Sequence, residues 1–194
     1  MNSTIEKLCG YGKFESSINY YFSDKSLLLQ AMTHGSSSSN KLTEDYQELE
    51  FLGDFVLNFL SSRQLEKQNR NSLMTPGAMS QKRSILISNN VFAWMSVQNS
   101  FHKYIRLECP SAKNEIDRFI ILVKNTEEKI STISNNDWRE KRQIFTAASQ
   151  EAPKVLADIF ESVAGAIYRD SGDEIDVVWK VYAPLMKEAF EMID

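Results

Sequence analysis

Two short stretches decide most of what this chain can become. Residues 49–60 read LEFLGDFVLNFL, and eight of the twelve are apolar. The non-glycine polar residues there, Glu50, Asp54 and Asn58, recur at i, i+4 and i+8. That spacing lines them along one face of a helix. A helix so apolar on its other sides belongs in a core, so its acidic row is expected near the interior or on the floor of a cleft. Residues 156–168, LADIFESVAGAIY, repeat the arrangement, with Asp158 and Glu161 at i, i+3 among small and apolar neighbours.

Two central helices, each offering two carboxylates, pose an electrostatic problem. Like charges one turn apart cost a few tenths of a kcal/mol on an exposed helix. In a desolvated cleft they repel more strongly and drive carboxyl pKa values upward. Neither stretch contains a lysine or arginine. A hard divalent cation with oxygen ligands, Mg²⁺ or Mn²⁺, is the economical compensation. Either acidic pair alone reads more simply as a solvated helix face. Two such pairs, in the most apolar helices of an acidic chain, bring a metal site level with that reading.

The remaining composition sets bounds. A chain of 194 residues has room for one domain with a sizeable core. The net charge of −4 argues against a protein that coats nucleic acid by bulk positive charge, but not against an enzyme that meets phosphates through cations. No apolar run approaches the roughly 18 residues of a membrane span. Residues 1–10 lack the basic and apolar regions of a signal peptide. Cys9 and Cys109 are too few for a disulfide framework, which fits a reducing compartment, cytoplasm or nucleus.

Glycine and proline are scarce, 7 and 4 in all, and the apolar residues recur at helical rather than alternating spacing, so the fold class is all-α. Ser23 or Asp24 offers an N-cap to a helix through Leu27, Leu28, Leu29 and Met32. Further helices are expected at about 45–65, from Thr75-Pro76 through Ile85 and Ile87, at 90–97, and at 154–168. Gly172 ends the last of these. Ser171 and Glu174 have the spacing of a capping box for a final helix at about 173–192. Residues 35–41, with four serines in a row, read as a flexible loop. Residues 125–152 read as a polar, partly disordered insertion within the single domain 1–194. His34 reads as a helix-end hydrogen-bonding residue and His102 as a packing residue, since neither has triad-like neighbours.

At the two acidic stretches the sequence resembles the ribonuclease III domain family. YQELEFLGDFVLNFL resembles the family signature and VLADIFESVAGAIYRDSG its second acidic motif. LLLQAMTHGS, PGAMSQKRSILISNN and FHKY fall in the right order around them. The run PKVLADIFESVAGAIYRDSG, with VVWKVYAPLM behind it, is most similar to the second (C-terminal) ribonuclease III domain of Dicer enzymes, as is the long segment 106–153. No double-stranded-RNA-binding domain follows, so an excised domain is expected.

The resemblance implies an all-helical nuclease with two central acidic helices. It implies Mg²⁺-dependent cleavage of double-stranded RNA, leaving 5′-phosphate and 3′-hydroxyl ends with a short 3′ overhang, in small-RNA processing. The family carboxylates fall on Glu50, Asp54, Asp158 and Glu161, all present, and Glu161 is the one expected to be most specific to catalysis. Lys154 resembles a lysine of the Dicer-type site that contacts the scissile phosphate; it also reads as a surface lysine at a helix start. Gln47 stands where many relatives carry glutamate, and Glu48 where arginine is common. Asn90 is a candidate for holding a metal ligand in place, with Asn89 competing. Lys82 and Arg83 are candidate phosphate contacts or simply a solvated face. Phe51 matches an aromatic that packs across a dimer, so the expected partner is a second ribonuclease III domain, in the same chain or in another copy. Two alternatives stand beside this: a catalytically silent module of the same fold for RNA binding or assembly, and an all-α metal-dependent nucleotide pyrophosphatase.

Overall fold

The computed structural model describes residues 1–70, 74–133, 138–150 and 152–193. In chain order the helices are α1 (Asn2–Cys9), α2 (Gly12–Ile18), α3 (Lys25–Ala31), α4 (Gln47–Asn69), α5 (Pro76–Leu86), α6 (Asn89–Gln98), α7 (Pro110–Thr132), α8 (Trp138–Ser149), α9 (Lys154–Asp170), α10 (Ile175–Leu185) and α11 (Lys187–Ile193). Among the described residues there is no strand, only an isolated bridge between Thr33 and Arg106. The all-α expectation holds. Among the described residues no helix is long and apolar enough to cross a membrane.

α9 is the axis of the molecule. Every residue from Val155 to Ile167 is buried, including Asp158, Glu161 and Ser162. α4 makes the most extensive contact with it, followed by α6 and α3. Hydroxyls fasten this helix to its surroundings. Ser96 donates to the Leu156 carbonyl at 2.6 Å, Tyr182 to that of Phe160 at 2.6 Å, and Ser162 to that of Ala31 at 2.8 Å. Such bonds use spare carbonyl lone pairs and satisfy hydroxyls that would be costly to bury unpaired.

α4 and α9 meet at two glycines. A methyl group on Gly53 would overlap the Glu161 carbonyl oxygen, and one on Gly165 would overlap that of Leu49. The contact is reciprocal and backbone to backbone, so no side-chain movement relieves an added carbon. It brings the turns that carry Glu50, Asp158 and Glu161 side by side.

Several expected helix ends are found. Asp24 caps α3 by accepting from the Ser26 amide at 2.9 Å, and Thr75 caps α5 by accepting from the Ala78 amide at 3.2 Å, with Pro76 in the first turn. Others differ. α6 is capped by Ser88, not by either asparagine, so Asn89 and Asn90 lie inside its first turn. The Ser171–Glu174 capping box does not form. Ser171 instead donates back to the Tyr168 carbonyl, and Glu174 is itself the N-cap without a side-chain bond. The final helix is two helices, α10 and α11, parted at Met186 just after Pro184, whose ring nitrogen cannot donate to the preceding turn. Helices α1 and α2, for which the sequence reading made no provision, cover the start of the chain.

The segment 125–152 is largely helical: α7 runs on to Thr132 and α8 follows. Its polar composition reflects helices buried on one face only. Ile116, Phe119, Val123 and Thr126 form the inner row of α7, and Phe145 of α8 packs edge-on against Trp94 with ring centroids 4.9 Å apart. The disorder expected there falls in part on residues 134–137 and 151, outside the described residues. The serine run is a loop, but a tied one. The Glu108 carboxylate accepts from the Ser38 amide (3.0 Å) and hydroxyl (2.8 Å) and from the Ser39 amide (3.2 Å). The Ser39 and Ser38 hydroxyls foremost, together with these amides, hold the Glu108 carboxyl down at about 2.

The glycine contact gives a paired prediction. Gly53→Ala forces two helix backbones apart and should cost at least about 3 kcal/mol, beyond the usual range for overpacking because backbone is struck. Gly77→Ala, whose added carbon meets nothing nearer than 4.0 Å, should stay within about 1 kcal/mol of wild type. Urea unfolding of both variants checks the contrast.

Candidate active site

The glycine contact sets Glu50 on α4 opposite Asp158 and Glu161 on α9. One carboxylate oxygen from each lies within 4.8 Å of the others, and Asp158 and Glu161 are buried while Glu50 is half-buried. Asp54, one turn beyond Glu50, is half-buried and faces Glu161 closely enough for its charge to act on it, but it stands outside this trio. The sequence thus identified one cluster, and the structure grades its members.

The expectation that the carboxylates have no protein counter-ion is corrected. Lys154, the first residue of α9, reaches back so that its Nζ lies 2.9 Å from Glu50 Oε1 and also pairs with Asp158 Oδ1. It sits just before the stretch 156–168, whose own residues carry no cation. Burial works against the Lys154 charge, but the two carboxylates outweigh it and lift its pKa to about 12. Glu161 remains without a cation: among the described residues no salt bridge or hydrogen bond reaches its carboxyl. Burial first, then the charges of Asp54, Asp158 and Glu50, push its pKa up to about 8. Burial also raises Glu50, with Lys154 opposing.

Tyr46 was not expected. It is the residue before α4, is 5% exposed, and donates its phenolic proton to Asp158 Oδ2 at 2.9 Å. Burial and the Asp158 charge push its own pKa above the ordinary value. It stands four residues before Glu50, in line with the acidic row, but a tyrosine at the start of a helix expected at about 45–65 reads in the sequence as ordinary core.

The other expected residues disperse. Gln47 is exposed at the first turn of α4, where its amide caps onto Asp45 Oδ1 at 3.0 Å. Glu48 pairs with Arg169 of α9 at 3.0 Å. Lys82 and Arg83 lie on α5, and Arg83 shares a groove with Ser62, Leu65 and Glu66 of α4. Those residues are 12 to 16 positions past Glu50, about 18–24 Å along the helix. Asn90 lines an apolar cavity of about 320 Å³ between α5, α6, α8 and α11, and none of the four carboxylates borders it. His34 accepts from the Ser36 amide at 3.0 Å and packs edge-on against Tyr46, as a helix-end residue would. His102 is half-buried beyond the far end of α6, its pKa lowered by burial. Both cysteines are free thiols.

Beside the acidic row, α4 carries a second one. Phe51, Phe55 and Phe59 are 69%, 60% and 54% exposed, at i, i+4 and i+8. The first two rings meet edge-on with centroids 5.2 Å apart, and Arg63 stands over the third at 5.9 Å. Phe51 is therefore not core, and three aligned exposed aromatics are more than the scattered apolar residues of an ordinary surface.

Comparison with known proteins agrees with this fold. The sequence model of the Ribonuclease III domain matches residues 47–172, well over half of the chain. The chain is 43% identical over 185 residues to Endoribonuclease Dcr-1 of Drosophila melanogaster and 40% identical over 187 residues to Endoribonuclease Dicer of Danio rerio. Each match covers 95% of this chain but only 8% and 10% of those proteins, so the chain spans about a tenth of their length. The nuclease domain of ribonuclease III from Campylobacter jejuni superposes with a TM-score of 0.64 at 24% identity, covering 93% of this chain and 99% of that one. This chain belongs to the ribonuclease III domain family.

The raised Glu161 pKa has a signed consequence. Burial and the neighbouring carboxylates favour the protonated form of Glu161 up to about pH 8 in the folded state, whereas the unfolded chain releases the proton near the ordinary glutamate value of about 4.5. Between those limits the native state binds more protons, so stability in EDTA should fall as pH rises, by on the order of a few kcal/mol across the window. Glu50 shifts in the same direction. Thermal melts from pH 5 to pH 8 should show this decline in EDTA, a smaller one in Glu161→Gln, and partial relief on adding Mg²⁺.

Proposed function

We propose that this chain is a divalent-metal-dependent endoribonuclease domain that cuts double-stranded RNA in small-RNA processing. The observation that carries the reading is the trio Glu50, Asp158 and Glu161, drawn within 4.8 Å by the glycine contact and left one cation short. Three carboxylate oxygens converging in a partly desolvated cleft are the donor chemistry of a hard cation, Mg²⁺ or Mn²⁺. Glu50, Asp158 and Glu161 would hold it, with Asp54, one turn beyond Glu50, the candidate for a second ion or a coordinated water. When bound, such ions lower the pKa of an attacking water and stabilise charge on the phosphate and the departing 3′-oxygen.

The chain's own residues supply the rest. Glu161 gives up its proton as positive charge enters the cleft and becomes the carboxylate that completes the site. Lys154 is 65% exposed at the mouth, paired with Glu50 and Asp158, and within a rotamer change of a phosphate at the same place. Released from the carboxylates, it donates to a phosphate oxygen. Gln47, exposed on the rim, is placed to touch the backbone of a bound duplex. Lys82, Arg83 and Asn90, far along the scaffold, would act only through RNA that extends past the cleft. The products expected are a 5′-phosphate and a 3′-hydroxyl, because the 3′-oxygen is the leaving group. The duplex would be read through shape, phosphates and 2′-hydroxyls.

The aromatic row Phe51, Phe55 and Phe59 is the surface on which a second ribonuclease III domain would pack, another copy of this chain or a neighbouring domain in a longer one. Two clefts brought together in this way would cut opposite strands and leave a short 3′ overhang.

End-labelled duplex RNA and free nucleotides, each with Mg²⁺ or EDTA, test the activity. Staggered cuts are expected in duplex RNA alone, dependent on Mg²⁺ and at least a hundredfold slower in Glu161→Ala. Wild-type cleavage in that variant overturns the site; nucleotide hydrolysis without RNA cleavage points to a pyrophosphatase; RNA binding with no cleavage points to a silent assembly module. For the surface, sedimentation of Phe51→Ala/Phe55→Ala should show self-association weakened at least tenfold, with the helical circular-dichroism signal unchanged.

A further inference from the structure

We infer that Tyr46 is a positioning residue for the acidic site: its buried phenol fixes the Asp158 carboxylate in the orientation that faces Glu50 and Glu161. The inference rests on reading those three residues as a cation site and goes beyond it by naming the group that keeps the site assembled.

An aspartate carboxylate turns readily about its last torsion, which is broad and two-fold. Asp158 is restrained at both oxygens. Oδ1 pairs with Lys154 and Oδ2 accepts from Tyr46 at 2.9 Å. The two restraints differ in kind. The Lys154 side chain is long and 65% exposed, so it is a movable partner. Tyr46 is 5% exposed and held along its whole length. Its backbone amide donates to the Thr33 carbonyl at 2.9 Å, the carbonyl of neighbouring Asp45 accepts from Gln30 Nε2 at 3.3 Å, and its ring packs edge-on against His34 with centroids 5.7 Å apart.

The phenol therefore offers a donor at a fixed point. It occupies one lone pair of Oδ2 and leaves the others of Asp158 to point into the cleft. When Lys154 leaves for a phosphate, Tyr46 is the restraint that stays. Hydrogen-bond partners of metal-binding carboxylates commonly alter metal affinity by 10–100-fold when removed.

Mn²⁺ binding, followed by the electron-paramagnetic-resonance signal of the unbound ion, tests this without RNA. Tyr46→Phe should weaken Mn²⁺ binding about tenfold or more. Duplex cleavage by the same variant should recover toward the wild-type rate as Mn²⁺ is raised, so the defect lies in metal half-saturation rather than in the maximal rate. Should Tyr46→Phe fail to fold, 4-fluorophenylalanine at position 46 fills the hydroxyl's volume without a donor and should show the same loss. 4-Aminophenylalanine at position 46, which keeps a donor, should bind Mn²⁺ as wild type does. Binding within about twofold of wild type in the donor-less variants overturns the positioning role, as does failure of the amino analogue to restore it. Glu161→Gln separates the two levels: wild-type Mn²⁺ affinity in that variant overturns the cation site itself, whatever Tyr46 does.

Discussion

Everything specific about this molecule depends on how closely two helices approach. At Gly53 and Gly165 the backbones of α4 and α9 touch with no room for a side chain on either. Helix pairs separated by ordinary side chains lie about 8–10 Å apart, whereas here backbone meets backbone at the crossing. Removing both Cβ atoms at the crossing closes that gap. The glycines sit one turn from Glu50 and Glu161, so the close approach falls where the carboxylates must converge. The surrounding shell serves the same end: α3, α6 and α10 bury α9 almost completely, and three hydroxyls fix its height relative to its neighbours.

Close approach and burial together create a repulsion that the protein relieves only in part. Lys154 offsets Glu50 and Asp158, and Tyr46 adds a donor to Asp158, while Glu161 is relieved by keeping its proton. The three solutions differ in permanence. A buried phenol stays put, an exposed lysine moves, and a proton leaves as soon as positive charge arrives. The cleft is therefore graded from fixed to exchangeable, with Glu161, a strongly raised carboxyl, at the exchangeable end.

What the sequence made legible follows from periodicity. Glu50, Asp54, Asp158 and Glu161 could be found because helical spacing places them on faces, and helix caps such as Asp24 and Thr75 could be found because their chemistry is local. Contacts between segments distant in the chain left no such trace. Gly53 and Gly165 look like any glycines inside apolar helices until the partner backbone is seen. Tyr46 continues the acidic row four residues before Glu50, but its partner Asp158 is over a hundred residues away, so nothing local set it apart from a core tyrosine. Lys154 was recognised as a residue of interest, but the absence of cations within the two apolar stretches concealed that it reaches into the cluster from a position just outside one of them. The polar stretch 125–152 misled for a related reason: a helix that buries one narrow row has too little apolar character to announce itself, and the row Ile116 to Thr126 straddles the point where that stretch was taken to begin.

The two rows on α4 carry a constraint of their own. Glu50 and Asp54 run beside Phe51 and Phe55, each pair offset from the other by a single residue, or about 100° of helix rotation. Acidic row and exposed aromatic row are thus drawn on one rigid rod, with no loop between them to absorb error. Lengthening α4 by one residue between Gly53 and Phe59 would rotate everything beyond it by that angle, swinging Phe59 away from Phe51. Substitutions in this stretch can be mild, but insertions and deletions cannot. Away from Gly53 and the acidic row, α4 should therefore tolerate drift in composition while keeping its length fixed, and the joint proposed at the aromatic row would inherit the precision of helix pitch itself.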